Sequence, residues 1–355
     1  MQPARIAING FGRIGRLFFR QVFGKDGFDI VAVNDLGDVQ NLAYLLKHDS
    51  VYRTYSRDVQ AGVGVLSVDG KGVTVLQERD PARLPWKDMN VDIVVEATGF
   101  FESFEKAAAH LAAGAKRVIL TAPAKDADGP VGSPTGDHGV NIPVGATVLM
   151  GVNDGKCATA TLTSNASCTT NAASPVIAIM AENPGIQKAI LSTVHAYTAT
   201  QSIVDGPLRE ASKDFRRGRA GAQNIVPSTT GAAIAVTRAV PELEGKFDGL
   251  AFRVPVPAGS LADITFLAKR KTSVEEINDI FRKAAVDPRW QGIMTVTEEQ
   301  VVSSDIIGEP YGAIIDLSFT KVVDGDLVKV LSWYDNEWGY AATLVRHVQK
   351  VAEFL

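Results

Sequence analysis

The sequence predicts an α/β chain in which a doubly wound parallel sheet is followed by a second, α+β domain of mixed or antiparallel sheet. The chain has 355 residues, more than a single hydrophobic core usually organises, so two domains are expected. Its first third alternates apolar, strand-like runs with segments of helical periodicity, as a parallel sheet with crossover helices requires. In the second half strand-like runs follow one another, and a hairpin turn joins two of them.

A βαβ unit opens the chain. Residues 4–9, ARIAIN, form an apolar run typical of a buried strand, and residues 29–35, DIVAVND, form a second one. Between them, apolar side chains recur at a spacing of three and four residues, which predicts a helix with one buried face. These side chains are Ile14, Leu17, Phe18 and Val22.

The same alternation returns later in the first domain. Strands are predicted over residues 91–99 and 117–123, with a helix from about Phe104 to Ala113 between them. Residues 63–77 predict a hairpin insert around an Asp-Gly turn. Residues 126–145 are rich in Gly, Pro and Asp, and they predict a long surface loop.

The second half has a different pattern. Strands are predicted over residues 189–198, 249–257 and 261–269, followed by a helix near 274–286. Residues 312–334 then carry an Asp-Gly turn between two strand-like runs, which indicates a hairpin. This succession favours a mixed or antiparallel sheet with helices on one face.

The composition excludes several classes of protein. Hydrophobic residues make up 46% and charged residues 21% of the chain, as in ordinary globular proteins. The net charge is −4 and the basic residues are scattered apart from Arg216, Arg217 and Arg219, so no dedicated nucleic-acid partner is expected. No apolar run approaches the roughly 20 residues of a membrane span, so we expect no membrane partner and a cytoplasmic location. The cysteines Cys157 and Cys168 are too few for a disulfide framework, and no metal site is predicted.

A glycine motif follows the first strand. Gly10, Gly12 and Gly15 have the spacing G-x-G-x-x-G at the start of a helix, and Asp35 ends the next strand. In this context the motif predicts a Rossmann domain, in which the helix N-terminus binds a pyrophosphate and the acid accepts the adenosine ribose hydroxyls. A glycine-rich turn with an unrelated Asp is the alternative. Because a carboxylate repels a 2′-phosphate, NAD is favoured over NADP. The cofactor-binding residues predicted from this motif are Gly10, Phe11, Gly12, Arg13, Ile14, Gly15 and Asp35.

Two later strands of this domain end in residues that could face the same ligand. These residues are Thr98, Gly99 and Thr121, and ordinary strand-to-loop turns explain them equally well. We therefore predict a dinucleotide-binding domain over residues 1–167, completed by a C-terminal amphipathic helix within residues 335–355. Residues 168–334 are predicted to form the second, catalytic domain.

The stretch SNASCTTN, residues 164–171, places a thiol among small polar residues. A strand-like run leads into Cys168 and a helix-compatible run follows it, so the thiol is expected at a helix N-terminus, where the dipole lowers its pKa. Pro175 is expected to kink this helix one turn in. Among the five histidines, His195 ends a strand among hydroxyl residues, so it is the candidate base. An ordinary structural histidine is the alternative for this position.

Seven motifs in this sequence resemble the phosphorylating glyceraldehyde-3-phosphate dehydrogenase family, and they occur in matching order along nearly the whole chain. They are INGFGRIGR, SNASCTTN, HAYTATQ (195–201), VDGP (204–207), STTGAA (228–233), LAFRVP (250–255) and WYDNEWGY (333–340). The resemblance implies a homotetramer that uses NAD and inorganic phosphate to oxidise glyceraldehyde 3-phosphate to 1,3-bisphosphoglycerate.

The resemblance also implies a role for individual residues. Cys168 would be the nucleophile that forms a hemithioacetal and then a thioester, and His195 would be the base. Asn336 would hold the nicotinamide carboxamide, and Tyr340 would pack beside its ring. Two anion sites are implied as well: Thr198 and Arg253 for the substrate phosphate, and Ser167, Thr169, Thr230 and Gly231 for inorganic phosphate, with the segment of Arg216, Arg217 and Arg219 nearby.

Some features depart from the family pattern or leave alternatives open. Many family members carry a second Cys four residues after the nucleophile, where this chain has Ala172. The segments 126–142 and 208–213 are longer than usual. Erythrose-4-phosphate dehydrogenase is the nearest alternative, because it would share the fold, the thiol and the cofactor. A non-catalytic NAD-binding redox sensor that uses only the oxidation of Cys168 is an alternative of another class, although paired anion-binding residues argue against it.

Overall fold

The computed structural model of the chain describes residues 2–132, 143–208 and 214–355. The chain divides into two compact units, the first formed by Met1–Ala166 with Leu344–Leu355 and the second by Ser167–Thr343. Two of the predicted segments, the loop 126–145 and the longer segment 208–213, lie partly outside the described residues.

The first unit is built on a sheet that has ten strands within the described residues. In chain order they are β1 (Ala4–Asn9), β2 (Phe28–Asn34), β3 (Val59–Gly62), β4 (Val65–Val68), β5 (Lys71–Leu76), β6 (Ile93–Glu96), β7 (Arg117–Leu120), β8 (Gly129–Pro130), β9 (Val144–Thr147) and β10 (Leu162–Ser164). Across the sheet the order is β3-β4-β5-β2-β1-β6-β7-β10-β9-β8, and all neighbours from β5 to β9 are parallel. This is the predicted doubly wound parallel sheet, with short antiparallel additions at both edges.

The order of the strands determines where a ligand can bind. The chain proceeds from β1 to β2 on one side and later to β6 on the other, so the carboxyl ends of β1 and β6 form the switch point at which such sheets bind ligands. Neighbouring side chains of β1 and β6, such as Ile6, Ile8, Val94 and Val95, have 0% exposure. Strands that are apolar on both faces are expected in a parallel sheet covered on both sides.

Helices connect these strands: α1 (Arg13–Val22), α2 (Val39–Lys47), α3 (Phe104–Ala107) and α4 (Ala109–Ala112). Helix α1 buries most of the predicted apolar stripe. The single helix predicted from Phe104 to Ala113 is divided at Ala108 into α3 and α4. Sequence analysis missed α2, although Asp38 is a recognisable N-cap whose side chain accepts from the N–H of Asn41.

The second unit contains a seven-stranded mixed sheet within the described residues. Its strands are β11 (Ile186–Ala196), β12 (Val226–Thr229), β13 (Phe247–Val254), β14 (Ser260–Ala268), β15 (Met294–Thr297), β16 (Ala313–Val323) and β17 (Leu327–Tyr334). They lie in the order β12-β13-β11-β14-β17-β16-β15, in which β11 and β13 are parallel, β15 and β16 are parallel, and the other pairs are antiparallel. The prediction of a mixed sheet in a second α+β domain is confirmed.

The remaining helices are α5 (Cys168–Glu182), α6 (Ala232–Thr237), α7 (Val274–Val286) and α8 (Trp338–Ala352). Helix α7 has the predicted bounds. Helix α5 begins at Cys168, as predicted, and continues past Pro175 to Glu182. All of its residues from Thr169 to Met180 are buried, which explains why its sequence lacks a polar face. Among the described residues, no helix is both long enough and apolar enough to cross a membrane.

Both predicted Asp-Gly hairpins are confirmed. Asp69 and Gly70 have φ values of 51° and 79° between β4 and β5, and Asp324 and Gly325 have φ values of 47° and 77° between β16 and β17. Two successive residues with positive φ match the right-handed twist of the flanking strands, which is why Asp-Gly is favoured in such turns.

A buried histidine in α8 is expected to make the first unit sensitive to acid. His347 has 0% exposure, and its Nδ1 lies 3.1 Å from the side-chain oxygen of Asn165. Burial lowers the pKa of His347 to about 3. Below about pH 6.5 the unfolded chain binds a proton at this residue while the folded chain does not, so stability present at neutral pH is lost as the pH falls towards 3.

We predict that His347→Asn reduces this acid sensitivity. Between pH 7 and pH 5 the variant should lose about 2 kcal/mol less unfolding free energy than the wild type, because it lacks the titrating imidazole. Urea unfolding of both proteins at the two pH values, followed by circular dichroism, measures the difference. Equal losses in the two proteins would show that His347 does not contribute.

Candidate active site and cofactor pocket

Three glycines shape the loop between β1 and α1. Gly10 has a φ of +95°, and a Cβ there would lie 2.6 Å from the backbone nitrogen of Thr98, so no larger residue fits. A Cβ at Gly15 would lie 2.2 Å from the carbonyl oxygen of Gly10. At Gly12, in contrast, a Cβ would have no atom within 4 Å. The loop therefore combines close backbone packing with an open cradle at the N-terminus of α1, which suits a pyrophosphate.

The predicted acid is fixed beside this loop. Asp35 follows β2, and its Oδ2 accepts from the N–H of Phe11 at 2.7 Å while its Oδ1 accepts from the N–H of Gly37 at 2.8 Å. A carboxylate has about four acceptor positions, so both oxygens can still accept from hydroxyl groups. This arrangement suits the two hydroxyls of an adenosine ribose.

A cavity of about 530 Å³ lies at the ends of β1, β2 and β6. Four predicted residues line it: Gly10, Gly12, Asp35 and Thr98. Sequence analysis missed the others, which are Asn9, Asn34, Leu36, Glu78, Arg79, Ala97, Phe100 and Phe101. Leu36 and Phe100 are 53% and 74% exposed, and large apolar side chains two and four residues after a strand end are the signal that could have identified them.

The other cofactor residues predicted in the first unit do not line this cavity: Phe11, Arg13, Ile14, Gly15, Gly99 and Thr121. Two of them have side chains with partners of their own in the structure. The Phe11 side chain is 1% exposed and packs edge-on against Phe19, so its side chain belongs to the core and its N–H orients Asp35. The Arg13 guanidinium contacts the carboxylate of Asp49 at 2.5 Å.

The second unit brings the predicted thiol and imidazole together. The Sγ of Cys168 lies 3.3 Å from the Nε2 of His195. Cys168 is the first residue of α5, and the side chain of Ser167 caps that helix by accepting from the N–H of Thr170. His195 lies at the carboxyl end of β11 with 4% exposure. A proton can therefore pass between the sulfur and the ring without an intervening group.

Arg253 contacts the other nitrogen of the imidazole. The parallel pairing of β11 with β13 sets Arg253 opposite His195, and its Nη1 lies 2.7 Å from Nδ1. The same Nδ1 lies 2.6 Å from the carbonyl oxygen of Ala196. Nδ1 accepts from Arg253 in one tautomer and donates to Ala196 in the other, so these two contacts compete. Only the second tautomer leaves the Nε2 of a neutral ring free of a proton and able to accept one from the thiol.

Burial dominates the electrostatics of the pair. Loss of solvent lowers the pKa of His195 to about 3, and the charge of Arg253 acts in the same direction. Burial also raises the pKa of the Cys168 thiol, although Arg253 and the donors of Thr169 oppose this. The expectation of a lowered thiol pKa at the helix N-terminus is therefore wrong, because desolvation outweighs the favourable charges. Because the pKa of the histidine is lowered and that of the thiol is raised, we expect a neutral thiol beside a neutral imidazole at neutral pH.

A chain of buried hydroxyls lies beside the thiol. The Oγ1 of Thr169 is 2.8 Å from the hydroxyl of Tyr334, which is 2.7 Å from the Oγ1 of Thr193. Burial raises the pKa of Tyr334. Thr169 is 4% exposed and its hydroxyl belongs to this chain, so in the structure its backbone N–H is the group left to contact an anion.

One arginine of the predicted basic segment stands apart from the other two. Nε and Nη2 of Arg217 donate to the buried hydroxyl of Ser228 at 3.2 and 2.8 Å. Its charge helps to lower the pKa of both His195 and Arg253, so it lies close to them. The other two form exposed ion pairs, Arg216 with Asp214 at 2.7 Å and Arg219 with Asp205 at 2.6 Å. Arg217 is thus a candidate anion-binding residue, which the sequence identified only as one of three neighbouring arginines.

The other predicted anion-binding residues lie in loops. The hydroxyl of Thr198 is 3.0 Å from that of Thr200, and the hydroxyl of Thr230 accepts from the N–H of Ala232 at 3.2 Å. Gly231 directly precedes α6, and a Cβ there would have no atom within 4 Å.

The orientation of the Asn336 amide is fixed by hydrogen bonds. Ser260 accepts from the N–H of Ala196 at 3.1 Å and lies 2.9 Å from the Oδ1 of Asn336, to which its hydroxyl donates. The amide nitrogen of Asn336 therefore points away from Ser260, as a donor to a carboxamide oxygen should. Tyr340, in the first turn of α8, is 4% exposed.

A glycine-cradled cavity at the switch point of a doubly wound sheet, with a fixed carboxylate beside it, defines a dinucleotide-binding protein. Comparison with protein families agrees. The model for the glyceraldehyde 3-phosphate dehydrogenase NAD binding domain matches residues 4–104, and the model for the C-terminal domain of the same enzyme matches residues 167–336. The chain therefore belongs to the glyceraldehyde-3-phosphate dehydrogenase family. It is an NAD-dependent oxidoreductase, and the predicted cofactor, NAD, is confirmed.

Curated relatives match along nearly the whole chain. Glyceraldehyde-3-phosphate dehydrogenase of Streptomyces coelicolor is 47% identical over 345 residues, which are 96% of each chain. The enzyme of the same name from Mycobacterium avium is 45% identical over 359 residues, 99% of each chain. Glyceraldehyde-3-phosphate dehydrogenase 2 of Bacillus subtilis is 43% identical over 350 residues, 98% of this chain and 96% of the relative.

We predict that Asp35→Asn lowers the preference for NAD over NADP. The amide removes the charge that repels a 2′-phosphate, and it cannot accept from two N–H groups and two ribose hydroxyls at once. The dissociation constant of NADP divided by that of NAD, both measured by calorimetry, should fall by about tenfold or more. Asp38→Asn is the matched control, because it removes an exposed charge three residues away and keeps a good N-cap. An unchanged ratio in the Asp35 variant would contradict the assignment.

Proposed function

We propose that the chain is a phosphorylating glyceraldehyde-3-phosphate dehydrogenase, which converts glyceraldehyde 3-phosphate, NAD⁺ and inorganic phosphate into 1,3-bisphosphoglycerate, NADH and a proton. The main support is the 3.3 Å contact between the Cys168 thiol and the His195 imidazole, with the guanidinium of Arg253 on the far side of the ring. A nucleophile, a base and a cation for a phosphate are what this reaction requires.

The first step is the addition of Cys168 to the aldehyde carbon. His195 takes the thiol proton as the C–S bond forms, and the protonated imidazole then gives this proton to the aldehyde oxygen, which yields the hemithioacetal and returns the ring to its neutral form. Because the imidazole is buried and neutral, it can accept this proton at neutral pH. A thiol whose pKa is raised by burial needs such a base more than a low-pKa thiol would.

Substrate binding can activate this base through Arg253. Nδ1 of His195 accepts from the guanidinium in one tautomer and donates to the carbonyl of Ala196 in the other. A substrate phosphate is a stronger partner for the guanidinium than a neutral imidazole. When Arg253 turns to that phosphate, Nδ1 keeps Ala196 as its partner and Nε2 becomes the proton acceptor that the thiol needs.

The second step oxidises the hemithioacetal. Bound NAD⁺ supplies the hydride acceptor, and His195 takes the hydroxyl proton as the carbonyl of the thioester forms. The amide nitrogen of Asn336 is directed away from Ser260, so in this proposal it donates to the carboxamide oxygen of the nicotinamide and orients that ring. Tyr340 packs beside the ring in this proposal.

The third step is attack of inorganic phosphate on the thioester, which releases the acyl phosphate and returns the thiol. Two phosphates therefore have to bind near one sulfur, and two arginines of the second unit support this, because Arg217 and Arg253 both influence the pKa of His195. We assign the substrate phosphate to Arg253 with Thr198. The attacking phosphate is assigned to Arg217 with Ser167, Thr230, Gly231 and the backbone N–H of Thr169.

The remaining parts of the proposal concern organisation. We assign cofactor binding to residues 1–167 with 335–355, the thiol chemistry to 168–334, and a cytoplasmic location to the protein. A homotetramer is supported by an apolar patch on the second sheet. Ile190, Val194 and Leu250 share one face of β11 and β13 and are 53%, 39% and 39% exposed, as a surface that meets another copy would be.

We predict that Cys168→Ser abolishes dehydrogenase activity and leaves NAD binding intact. Cys157→Ser is the matched control and should retain activity, because burial raises the pKa of Cys157 to about 12 and keeps that thiol unreactive. In His195→Asn, alkylation of Cys168 by iodoacetamide at pH 7 should slow by about tenfold or more and rise steeply with pH, since the thiol loses its base. Turnover by Cys168→Ser at the wild-type rate would exclude the covalent mechanism.

We predict that the two phosphate sites can be separated by mutation. Arg253→Ala should lower kcat/KM for glyceraldehyde 3-phosphate by about 100-fold, because the substrate phosphate loses its cation. It should leave kcat/KM for unphosphorylated glyceraldehyde unchanged or raise it, because no phosphate contact is lost and Nδ1 of His195 keeps only Ala196 as its partner. Thr230→Ala should leave the first burst of NADH intact and slow the steady state, in which phosphate releases the acyl group. Rapid-mixing kinetics with and without phosphate distinguishes these effects.

The wild-type enzyme provides the decisive comparison in the same assay. Many turnovers at full rate without phosphate or arsenate would show that water, not phosphate, releases the acyl group. The chain would then be a hydrolytic enzyme of the erythrose-4-phosphate dehydrogenase type. Absence of turnover under all conditions, with NAD binding retained, would favour the redox sensor instead.

A further inference from the structure

A buried carboxylate and a buried histidine lie beneath the cofactor cavity. Glu96 ends β6 with 3% exposure, and His110 lies in α4 with 0% exposure. The Nε2 of His110 is 3.0 Å from the Oε2 of Glu96. Neither side chain lines the cavity or takes part in the proposed chemistry, yet both are polar groups whose burial has to be compensated.

Four donors converge on this one carboxylate. The N–H and the hydroxyl of Thr98 donate to Oε1 at 2.8 and 2.5 Å. The side-chain amide of Asn9 donates to Oε2 at 2.5 Å, and His110 approaches the same oxygen. An ionised carboxylate can accept all four, whereas an amide would set at least one donor against another donor. The position therefore requires an acid.

The neighbouring indole determines which nitrogen of His110 carries the proton. The Nε1 of Trp86 lies 3.0 Å from the Nδ1 of His110. An indole N–H can only donate, so Nδ1 accepts and the proton of the neutral ring is on Nε2. Nε2 therefore donates to Glu96, and the imidazole is held in one tautomer between a donor and an acceptor.

The network reaches the cavity through two branches. On one side, the hydroxyl of Thr98 accepts from the N–H of Phe100 at 3.1 Å, which closes the turn at Gly99. On the other side, the amide oxygen of Asn9 accepts from the side chain of Asn34 at 2.7 Å. Thr98, Phe100, Asn9 and Asn34 all line the cavity. The ends of β1, β2 and β6 are thus joined by one set of hydrogen bonds.

We infer that Glu96 and His110 are positioning residues for NAD, which hold the loop from Thr98 to Phe101 and the end of β1 in the geometry that binds the adenosine half of the cofactor. A loop that is already ordered loses less conformational freedom when the ligand binds, so the affinity is higher. The inference rests on the proposed placement of the adenosine half in this cavity.

Three variants test the inference through the dissociation constants of NAD⁺ and of ADP-ribose, which lacks the nicotinamide, measured by calorimetry. Glu96→Gln and His110→Leu should raise both dissociation constants by about tenfold. In the first variant the donors at Thr98 and Asn9 lose their common acceptor, and in the second that acceptor loses the hydrogen bond from His110. His110→Gln should stay within about threefold of the wild type, because glutamine keeps a donor near the position of Nε2. With saturating NAD⁺, kcat should stay within about twofold in all three, since the thiol chemistry is untouched.

His347→Leu is the matched control, because it removes another imidazole with 0% exposure from the same unit. It should bind NAD⁺ within about twofold of the wild type. The rate of Cys168 alkylation without cofactor, which should be unchanged in every variant, shows that the second unit is intact. If Glu96→Gln does not fold, the difference in NAD⁺ affinity between His110→Leu and His110→Gln still tests the inference.

The inference is overturned if His110→Leu and His347→Leu weaken NAD⁺ equally, or if His110→Gln is as weak as His110→Leu, because either result would indicate general destabilisation. It is also overturned if Glu96→Gln and His110→Leu bind NAD⁺ with wild-type affinity while Asp35→Asn binds it poorly. That result would leave the proposed adenosine pocket in place and reject only the role of Glu96 and His110. If Asp35→Asn also binds normally, the placement of the adenosine half is wrong, and the inference is rejected with it.

Discussion

Burial of the His195 imidazole is the constraint on which the chemistry of the second unit depends. Exclusion of water lowers the pKa of the ring to about 3, and the same exclusion raises the pKa of the neighbouring thiol. We therefore expect the pair to rest without charge at neutral pH, which avoids the cost of an ion at the buried imidazole and of a second ion at the partly buried thiol. The free energy needed to form the charged pair is then required only during the reaction, when the proton moves from the thiol to the ring. Arg253, which touches the ring and is the proposed ligand of the substrate phosphate, couples that movement to the arrival of substrate.

Both units use the same device to assemble a site, which is a pair of adjacent parallel strands that end side by side. In the first unit β1 and β6 end at Asn9 and Glu96, and just beyond these ends the backbones of Gly10 and Thr98 are so close that no Cβ fits at Gly10. In the second unit β11 and β13 set His195 directly opposite Arg253. Parallel pairing brings residues from distant parts of the chain to one edge, because both strands end there. An antiparallel pair would have separated these residues by the length of a strand.

What the sequence predicted, and what it did not, follows from how far each interaction reaches along the chain. Gly10 and Asp35 were predictable because a close backbone approach and a strand-end acid leave local signals. The start of α5 at Cys168 was predictable for the same reason. The pKa direction of Cys168 was not, because burial depends on residues far away in sequence. Glu96 and His110 were missed as a pair: each belongs to an ordinary apolar segment, and only the fold brings them together with Asn9. The selection of Arg217 from three similar arginines likewise required the position of Ser228.

Three histidines are buried in the part of the chain that the structure describes, and they show why burial alone does not identify a functional residue. His110, His195 and His347 are all at most 4% exposed. His110 lies between a fixed donor and a fixed acceptor, so its proton has one position and the ring serves to orient its neighbours. His347 has Asn165 as its partner, and its contribution is to stability as a function of pH. Only His195 has two competing partners on one nitrogen and a thiol on the other. Because its two ring nitrogens have these contacts, it is the one histidine of the three whose partners suit the transfer of a proton during a reaction.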